Sequence, residues 1–305
     1  MHSVTVVMSS YNGEKYIKDQ IESIISQSGC EVNLIVRDDG STDGTLDILQ
    51  QYKREGKLEF FQGRNLKPAK SFLEGLKHTK DTDYYAFSDQ DDIWKKNKLS
   101  VAISQLEMLN AATPNLYCSN LTAVDNDYNV LTPKLLPDKI VSDYKEILIR
   151  SPHIFGCTCV FNKVLRDYIV ERELPQNLIM HDLWVALLAA SMGTIIYDSS
   201  SYMMYRQHGD NHTGAIMSFK EKMRTRWRDI IGASPFSMSL QAEELIAYIG
   251  DKKLKELGLL DYSEMVSNYK YSIKNKIKYI KNIEHKSMSN KQFLFHVLLI
   301  VMGRL

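Results

Sequence analysis

The chain of 305 residues lacks long hydrophobic runs and has little proline and cysteine. Its longest apolar stretch, 293–302 (FLFHVLLIVM), is about half of the roughly eighteen residues that a membrane-spanning helix needs. The four cysteines form neither a CxxC pair nor a Cys/His grouping with zinc spacing, which argues against structural zinc. We expect a globular protein whose segment 293–302 packs on the core or lies in a membrane interface.

Two further patterns are missing near the start of the chain. The strand-like VTVVM (4–8) is not preceded by the basic and apolar segments of a signal peptide, so we expect a cytoplasmic protein with free thiols. The loop after this strand reads SSYNGEKY and lacks the GxGxxG that lets backbone approach a dinucleotide pyrophosphate. This argues against a Rossmann-type oxidoreductase, although such enzymes share the strand–helix alternation described below.

Charge is distributed unevenly along the chain. Residues 1–214 contain 22 Lys and Arg against 28 Asp and Glu, whereas residues 215–305 contain 16 against 9. A basic second part suggests an anionic partner, and a solvated helical face is the alternative. Basic residues beside Trp227 (Arg224, Arg226 and Arg228) fit an amphipathic helix on anionic lipid, and docking of the helices on the core or on a second subunit of a homo-oligomer is an equal alternative.

Strands and helices alternate through the first half of the chain. Apolar, β-branched runs predict strands at 4–8, 32–36, 58–61 and 84–87, and helical spacing predicts helices around 16–25, 45–52 and 72–76. Short polar connections between them imply parallel strands with right-handed crossovers, and hence an open α/β sheet flanked by helices. Ligands of such sheets bind at the carboxyl ends of the strands.

The pattern loosens beyond residue 114. We predict strands at 115–124, 154–161, 194–197 and 202–206 and a helix at 181–191. Beyond residue 214 the sequence is mostly helical and rich in lysine, with no strand signal. We therefore predict a catalytic domain over 1–214 and a basic, mostly helical C-terminal extension over 215–305.

Three polar clusters follow predicted strands: SSYNG (9–13), RDDGSTDG (37–44) and SDQDD (88–92). All three should face one acidic crevice, which would suit a metal-bound pyrophosphate and the hydroxyls of a ribose or sugar. Asp89, Asp91 and Asp92 are three carboxylates in four positions, a crowding that is costly unless a cation binds there. Oxygen ligands favour Mg²⁺ or Mn²⁺. The alternative is that Asp91 or Asp92 caps a helix that starts near Trp94.

Two later positions also carry candidate chemistry. Asp182 follows His181 at the start of a predicted helix and is a candidate general base, with an N-capping role as the alternative. His208 follows the last predicted strand of the core and lies near the same sheet edge, although a lone histidine is more often a surface group.

In order, the motifs SYNGEKYI, VRDDGSTDGT, FSDQDDIWKKNKL, GCTCVFN, HDLW and YRQHGDN resemble family 2 glycosyltransferases of the GT-A fold over residues 3–214. The spacing of FSDQDDIW, HDLW and YRQHG is similar to bacterial rhamnosyltransferases of polysaccharide assembly. The resemblance implies a GT-A sheet and metal-dependent, inverting transfer of a sugar from a nucleotide diphosphate, with dTDP-rhamnose as the first donor and a UDP-hexose as the alternative. The acceptor would be a saccharide or a lipid-linked saccharide, at the inner face of the cell membrane if the extension binds lipid.

The resemblance also assigns roles to residues. It makes Asp39 the partner of the pyrimidine, Asp89 a ribose contact, Asp91 and His208 metal ligands, and Asp182 the base. Other nucleotide-site residues would be Ser10, Tyr11, Asn12 and Asp38, with Asp92, Trp94, Lys98, His181, Trp184 and Arg206 in support. The family usually has an aromatic residue directly after its His-Asp pair, whereas this chain reads HDLW, so the acceptor wall is expected to differ.

A non-catalytic nucleotide-binding module and a nucleic-acid-binding module are the alternatives to an enzyme. Acidic loops facing the crevice would repel a phosphate backbone, so we expect no nucleic-acid partner.

Overall fold

The computed structural model describes residues 1–149, 154–207, 235–283 and 290–305. These residues form two compact units. The first contains 1–142, 154–174 and 180–207, and the second contains 143–149, 175–179, 235–283 and 290–305. The domain boundary predicted at residue 214 lies outside the described residues.

The described part of the first unit contains one mixed sheet with the strand order β3-β2-β1-β4-β8-β6-β9-β5, and β7 pairs with β6 outside this path. Strands β1 to β4 are parallel, β8 runs antiparallel to both β4 and β6, and β6 is parallel to β9. The strands are β1 (His2–Ser10), β2 (Cys30–Asp38), β3 (Glu59–Gln62), β4 (Tyr84–Ser88), β5 (Ile93–Trp94), β6 (Asn115–Val124), β7 (Val130–Thr132), β8 (Val160–Asn162) and β9 (Thr194–Arg206).

Helices follow the strands and pack on the sheet. They are α1 (Ile17–Ile25), α2 (Thr45–Arg54), α3 (Lys67–Lys77), α4 (Lys98–Leu106), α6 (Lys163–Val170) and α7 (His181–Met192). The described helices of the second unit are α5 (Tyr144–Ile149), α8 (Ser237–Ile249), α9 (Asp251–Glu256), α10 (Leu260–Asn268), α11 (Ile273–Asn282) and α12 (Asn290–Met302). The predicted open α/β sheet flanked by helices is confirmed.

The continuous apolar run of β1 fits its central position. Val4, Val6, Val7 and Met8 are all fully buried, as expected for a parallel strand that is covered by helices on both faces. The four strands predicted in the first half are confirmed, but β2 is longer than predicted. It continues to Asp38, which pairs with Ser10 of β1, so Arg37 and Asp38 lie in a strand rather than in a loop.

Three other predictions of local structure are wrong. No helix starts at Trp94, because Ile93 and Trp94 pair with β9, and α4 begins only at Lys98. Residues 154–161 do not form one strand, since a 3₁₀ turn at Gly156–Thr158 precedes the short β8. The two strands predicted in 194–206 are one strand, β9, whose register against β6 shifts around Asn120.

None of the helices in the described residues is both long and apolar enough to cross a membrane. Helix α12, which contains the apolar segment 293–302, has 13 residues. The four cysteines of the chain are buried and free.

Candidate active site

Hydrogen bonds join the three polar loops at the carboxyl ends of β1, β2 and β4. The amide of Tyr11 donates to Gln90 Oε1 at 2.9 Å, and Gln90 Nε2 donates back to the Tyr11 carbonyl. Asn12 has a left-handed φ of 49°, which asparagine tolerates better than most residues, and its Oδ1 accepts from the Thr42 amide at 2.8 Å. The prediction that the loops meet at one sheet edge is therefore confirmed.

Asp38 organises the loop after β2. Its side chain is fully buried and accepts hydrogen bonds from the Ser10 hydroxyl at 3.0 Å and from the Gly40 and Ser41 amides at 3.0 and 2.9 Å. The Ser41 hydroxyl also donates to it. Both carboxylate oxygens are thus used within the fold, and Ser10 contributes to the site by holding Asp38.

Asp39 is also buried, and it forms an ion pair with the buried guanidinium of Arg37. The carboxylate accepts from the Ser71 hydroxyl at 2.9 Å and from the Leu66 amide at 3.1 Å. A contact between Asp39 and a pyrimidine stays a prediction. In this arrangement the Asp39 side chain ties β2 to the start of α3.

The loop after β4 brings several carboxylates together in a largely buried setting. One ligand atom each of Asp89, Asp92 and Cys157 lie within 4.8 Å of one another. Burial, and then the charges of Asp91 and Asp182, raise the pKa of Asp89 to about 7. Burial and the charges of Asp91 and Asp89 also raise the pKa of Asp92, whose Oδ2 is buried without a hydrogen-bond partner.

These carboxylates fit a divalent cation. Crowded carboxylates with raised pKa values gain most from a positive charge, and hard ions such as Mg²⁺ and Mn²⁺ prefer oxygen ligands. Cys157 offers sulfur, which hard ions disfavour as a ligand, and burial raises the pKa of its thiol above the ordinary value, which keeps it protonated. Asp91 lies outside the close cluster, and its assignment as a ligand stays a prediction. His208 lies outside the described residues.

A buried lysine lies behind this acidic loop. Lys98, at the start of α4, is 1% exposed, and its Nζ lies 3.6 Å from the centre of the buried Trp94 ring. Burial lowers the pKa of Lys98 to about 8, while Cys157, Cys159 and Asp92 act in the opposite direction. The Lys98 ammonium group is therefore buried against the Trp94 ring and close enough to Asp92 to interact with its charge, and its role in supporting the site stays a prediction.

Asp182, in the first turn of α7, is a further partly buried carboxylate of the site. It accepts from the Gly156 amide at 3.2 Å and from the Leu183 amide at 2.7 Å. Burial raises the pKa of Asp182 to about 6, and its charge raises that of Asp89, so the two carboxylates are close. The N-capping alternative is wrong, because Met180 occupies the N-cap position.

His181 packs as an aromatic ring. Its ring centre lies 4.0 Å from that of Phe72 with the planes tilted by 30°, and it meets Phe87 edge-on at 5.1 Å. Burial lowers the pKa of His181 to about 3. A Cβ atom on Gly156 would lie 2.2 Å from His181 Nε2, so only glycine fits there. His181 and the fully buried Trp184 thus fix the start of α7, on which Asp182 lies.

Arg206 at the end of β9 connects three loops. Its Nε donates to the Asp91 carbonyl at 3.0 Å, and its Nη2 donates to the Tyr128 hydroxyl at 3.0 Å. The guanidinium also lies over the rings of Tyr16 and Tyr128 at 4.8 and 4.7 Å. The Arg206 amide donates to Asp92 Oδ1, so this residue positions the acidic loop through both backbone and side chain.

Several residues that shape the site were not predicted from the sequence. Arg37 neutralises Asp39, Gln90 bridges two loops, and Gly156 and Cys157 bring a 3₁₀ turn against the carboxylates. The glycine in GCTC was the one available signal, because a glycine outside a turn motif often marks a close approach of chain segments.

An open α/β sheet with linked acidic loops at its carboxyl edge is the architecture of the GT-A glycosyltransferases. Residues 5–169, more than half of the chain, match the model of the family described as Glycosyl transferase family 2. This chain belongs to that family and is a glycosyltransferase. The resemblance inferred from its motifs is confirmed.

Relatives of known or suggested activity support the same family. The dTDP-rhamnosyl transferase RfbG of Shigella flexneri is 33% identical over 242 residues, which cover 72% of this chain and 80% of RfbG. The putative teichuronic acid biosynthesis glycosyltransferase TuaG of Bacillus subtilis is 40% identical over 190 residues, covering 61% of this chain and 71% of TuaG.

The fold is shared with a solved structure. S. aureus TarS 1–349 covers 99% of this chain and 80% of its own length at 18% identity, with a TM-score of 0.57. The same region of TarS has been solved in complex with UDP-GlcNAc, with a TM-score of 0.54 at 19% identity and coverages of 97% and 81%. At these identities the likeness shows the GT-A fold alone.

Proposed function

We propose that this enzyme transfers rhamnose from dTDP-rhamnose, with inversion, onto a hydroxyl of a saccharide or lipid-linked saccharide during synthesis of a cell-surface polysaccharide. The observation that carries the mechanism is the position of Asp182, which lies close to Asp89 and has a pKa raised to about 6. The donor is supported by the similarity to RfbG.

In this proposal Asp182 is the general base. The acceptor oxygen attacks the anomeric carbon, the bond from that carbon to the diphosphate oxygen breaks, and the acceptor proton passes to the Asp182 carboxylate. A pKa near 6 leaves the group mostly ionised at neutral pH and still basic enough to accept a proton. One displacement from the face opposite the diphosphate inverts the anomeric centre, so the protein needs no nucleophile.

Asp89, Asp91 and Asp92 would hold a Mn²⁺ or Mg²⁺ ion. When bound, such an ion neutralises the charge that develops on the diphosphate leaving group. The chain's own contribution is to hold three carboxylates at the end of β4, with Arg206 fixing the loop from one side and Lys98 lying behind it.

A calorimetric titration with dTDP, UDP and GDP, each with Mn²⁺ and with EDTA, tests the donor site. The proposal expects dTDP to bind tightly only with metal. NMR of the product made from dTDP-rhamnose then reports inversion or retention. Retention of configuration would contradict the proposal. Turnover of UDP-hexoses in place of dTDP-rhamnose would also contradict it and would support the UDP-hexose alternative. TarS was solved with UDP-GlcNAc, which motivates this test.

A further inference from the structure

Two helices of the second unit, α11 and the last described helix α12, expose several aliphatic side chains. We call this set the C-terminal apolar face, and it consists of Ile273 and Ile277 of α11 and Leu294, Leu298 and Val301 of α12. These side chains are 41% to 76% exposed. Isolated exposed aliphatic residues are ordinary, but a contiguous group of them marks a surface for a partner.

The spacing of these residues places them on one side of each helix. Ile273 and Ile277 are four residues apart, and Leu294, Leu298 and Val301 follow the i, i+4, i+7 pattern of a single helical face. The two helices are neighbours, because Lys276 Nζ donates to the Val301 carbonyl at 2.8 Å. The two stripes therefore lie on neighbouring helices of the second unit.

The two segments that carry this face contain charge of a single sign, and among the described residues one of their lysines, Lys270, forms an ion pair with Glu243 of α8. Segments 270–283 and 290–305 contain seven Lys and Arg residues and no Asp or Glu. Lys274, Lys278 and Lys281 are exposed along α11, beside the two isoleucines. A second copy of the chain would set these lysines against one another, which disfavours pairing of the face with itself. A nucleic acid would satisfy the lysines but not the aliphatic side chains.

An anionic lipid surface satisfies both features. Aliphatic side chains insert at the boundary between headgroups and acyl chains, while lysines contact the headgroup phosphates. The 13 residues of α12 span only about 20 Å at 1.5 Å per residue, which is too short to cross a bilayer but suits a helix lying in its plane.

We propose that the C-terminal apolar face docks the enzyme on an anionic membrane surface. Leu294 and Leu298 enter the interface, and the lysines of α11 supply the attraction to anionic headgroups. This proposal does not depend on the identity of the sugar donor.

Co-sedimentation of the full chain with vesicles tests the proposal. Vesicles of phosphatidylcholine alone are compared with vesicles that also contain phosphatidylglycerol. We expect binding to the anionic vesicles, and we expect the double variant Leu294→Gln/Leu298→Gln to bind at least about tenfold more weakly. The matched control Met108→Gln/Val130→Gln removes equally exposed apolar side chains from the first unit and should leave binding unchanged.

The contribution of charge is tested separately. Lys274→Gln and Lys278→Gln should each weaken binding about fivefold at low salt, whereas the exposed Lys139→Gln should not. Equal binding of the wild type and the double leucine variant, with thermal melting confirming that both are folded, would overturn the proposal. A concentration-dependent dimer in size-exclusion chromatography that the leucine variant abolishes would also overturn it, because the face would then bind a second copy.

Discussion

Two groups of buried or partly buried carboxylates lie at the carboxyl edge of the sheet, and their surroundings differ. Asp38 and Asp39 follow β2, and their oxygens are used by hydroxyls, backbone amides and the Arg37 guanidinium. Asp89 and Asp92 follow β4, which is separated from β2 by β1 in the sheet, and they face like charges, with Asp182 nearby. The same side-chain chemistry therefore serves two purposes.

The difference distinguishes carboxylates that stabilise the fold from carboxylates that are available to bind a cation or a proton. Carboxylates with full sets of donors stabilise the loops that contain them, because their hydrogen bonds replace those lost to water. Carboxylates that are crowded and poorly satisfied raise the free energy of the folded state and gain from a bound cation or a proton. Sites of this kind commonly reduce stability in exchange for function.

The largest expected effect is on turnover in Asp182→Asn. Removing a general base should lower kcat by about 10² to 10⁴, while the affinity for donor stays nearly unchanged. Steady-state kinetics and calorimetry measure the two quantities, with the exposed Asp47→Asn as the matched control. An equal loss of donor affinity would show that Asp182 belongs to the donor site instead.

The pH profile of the wild type sharpens the same assignment. A base must be deprotonated to act, and burial raises the pKa of Asp182 to about 6. Turnover should therefore rise with pH through about 6 and level off above it. The residual activity of Asp182→Asn should lack this limb. A limb that persists in the variant would assign the titration to another group.

The second largest effect is on stability in Asp39→Ala. This change leaves Arg37 buried without its partner, which should lower the free energy of unfolding by about 3 to 5 kcal/mol. Chemical denaturation measures it, and the double variant Arg37→Met/Asp39→Ala should recover part of the loss. A stable Asp39→Ala that fails to bind dTDP would instead place Asp39 in direct contact with the base.

The first half of the fold was predictable from the sequence because its signals are local. Apolar strands such as Val4–Met8 are followed by polar loops, and parallel topology brings those loops together. The later elements depend on distant partners. Ile93 and Trp94 become a strand only because β9 lies beside them, and the 3₁₀ turn at Gly156–Thr158 depends on packing against His181.

The candidate site was predictable only in part for the same reason. Residue types and spacing indicated Asp182 and the acidic loop after β4, and the structure brings these together. Sequence could not indicate that Arg37 neutralises Asp39 or that Cys157 lies beside Asp89 and Asp92, since these contacts join segments that are remote in the chain. Burial, which shifts the pKa values, is likewise a tertiary property.

A third, smaller effect is expected on the stability of the variant Asp89→Asn. The folded-state pKa of Asp89 is raised, so its unfavourable contribution is absent below the unfolded value of about 4 and complete above about 7. At pH 7.5 in EDTA, Asp89→Asn should therefore be more stable than wild type by about 1 to 3 kcal/mol. Mn²⁺ should raise the Tm of the wild type in thermal melting and leave the Tm of the variant unchanged. Equal stabilisation of both would remove Asp89 from the metal site.

The smallest expected effect is on the variant Tyr128→Phe, because the Tyr128 hydroxyl contacts the Arg206 guanidinium beside the acidic loop. Its hydroxyl accepts from Arg206 and donates to Asp19 at 2.8 Å, so Tyr128→Phe should cost about 1 kcal/mol of stability. Because Arg206 also holds the Asp91 carbonyl, the variant should raise the KM for donor severalfold while kcat changes little. Tyr197→Phe removes a hydroxyl that donates to the Pro137 carbonyl and is the matched control. If both variants lose stability equally and neither changes the KM, Arg206 acts on the fold alone and does not position the loop.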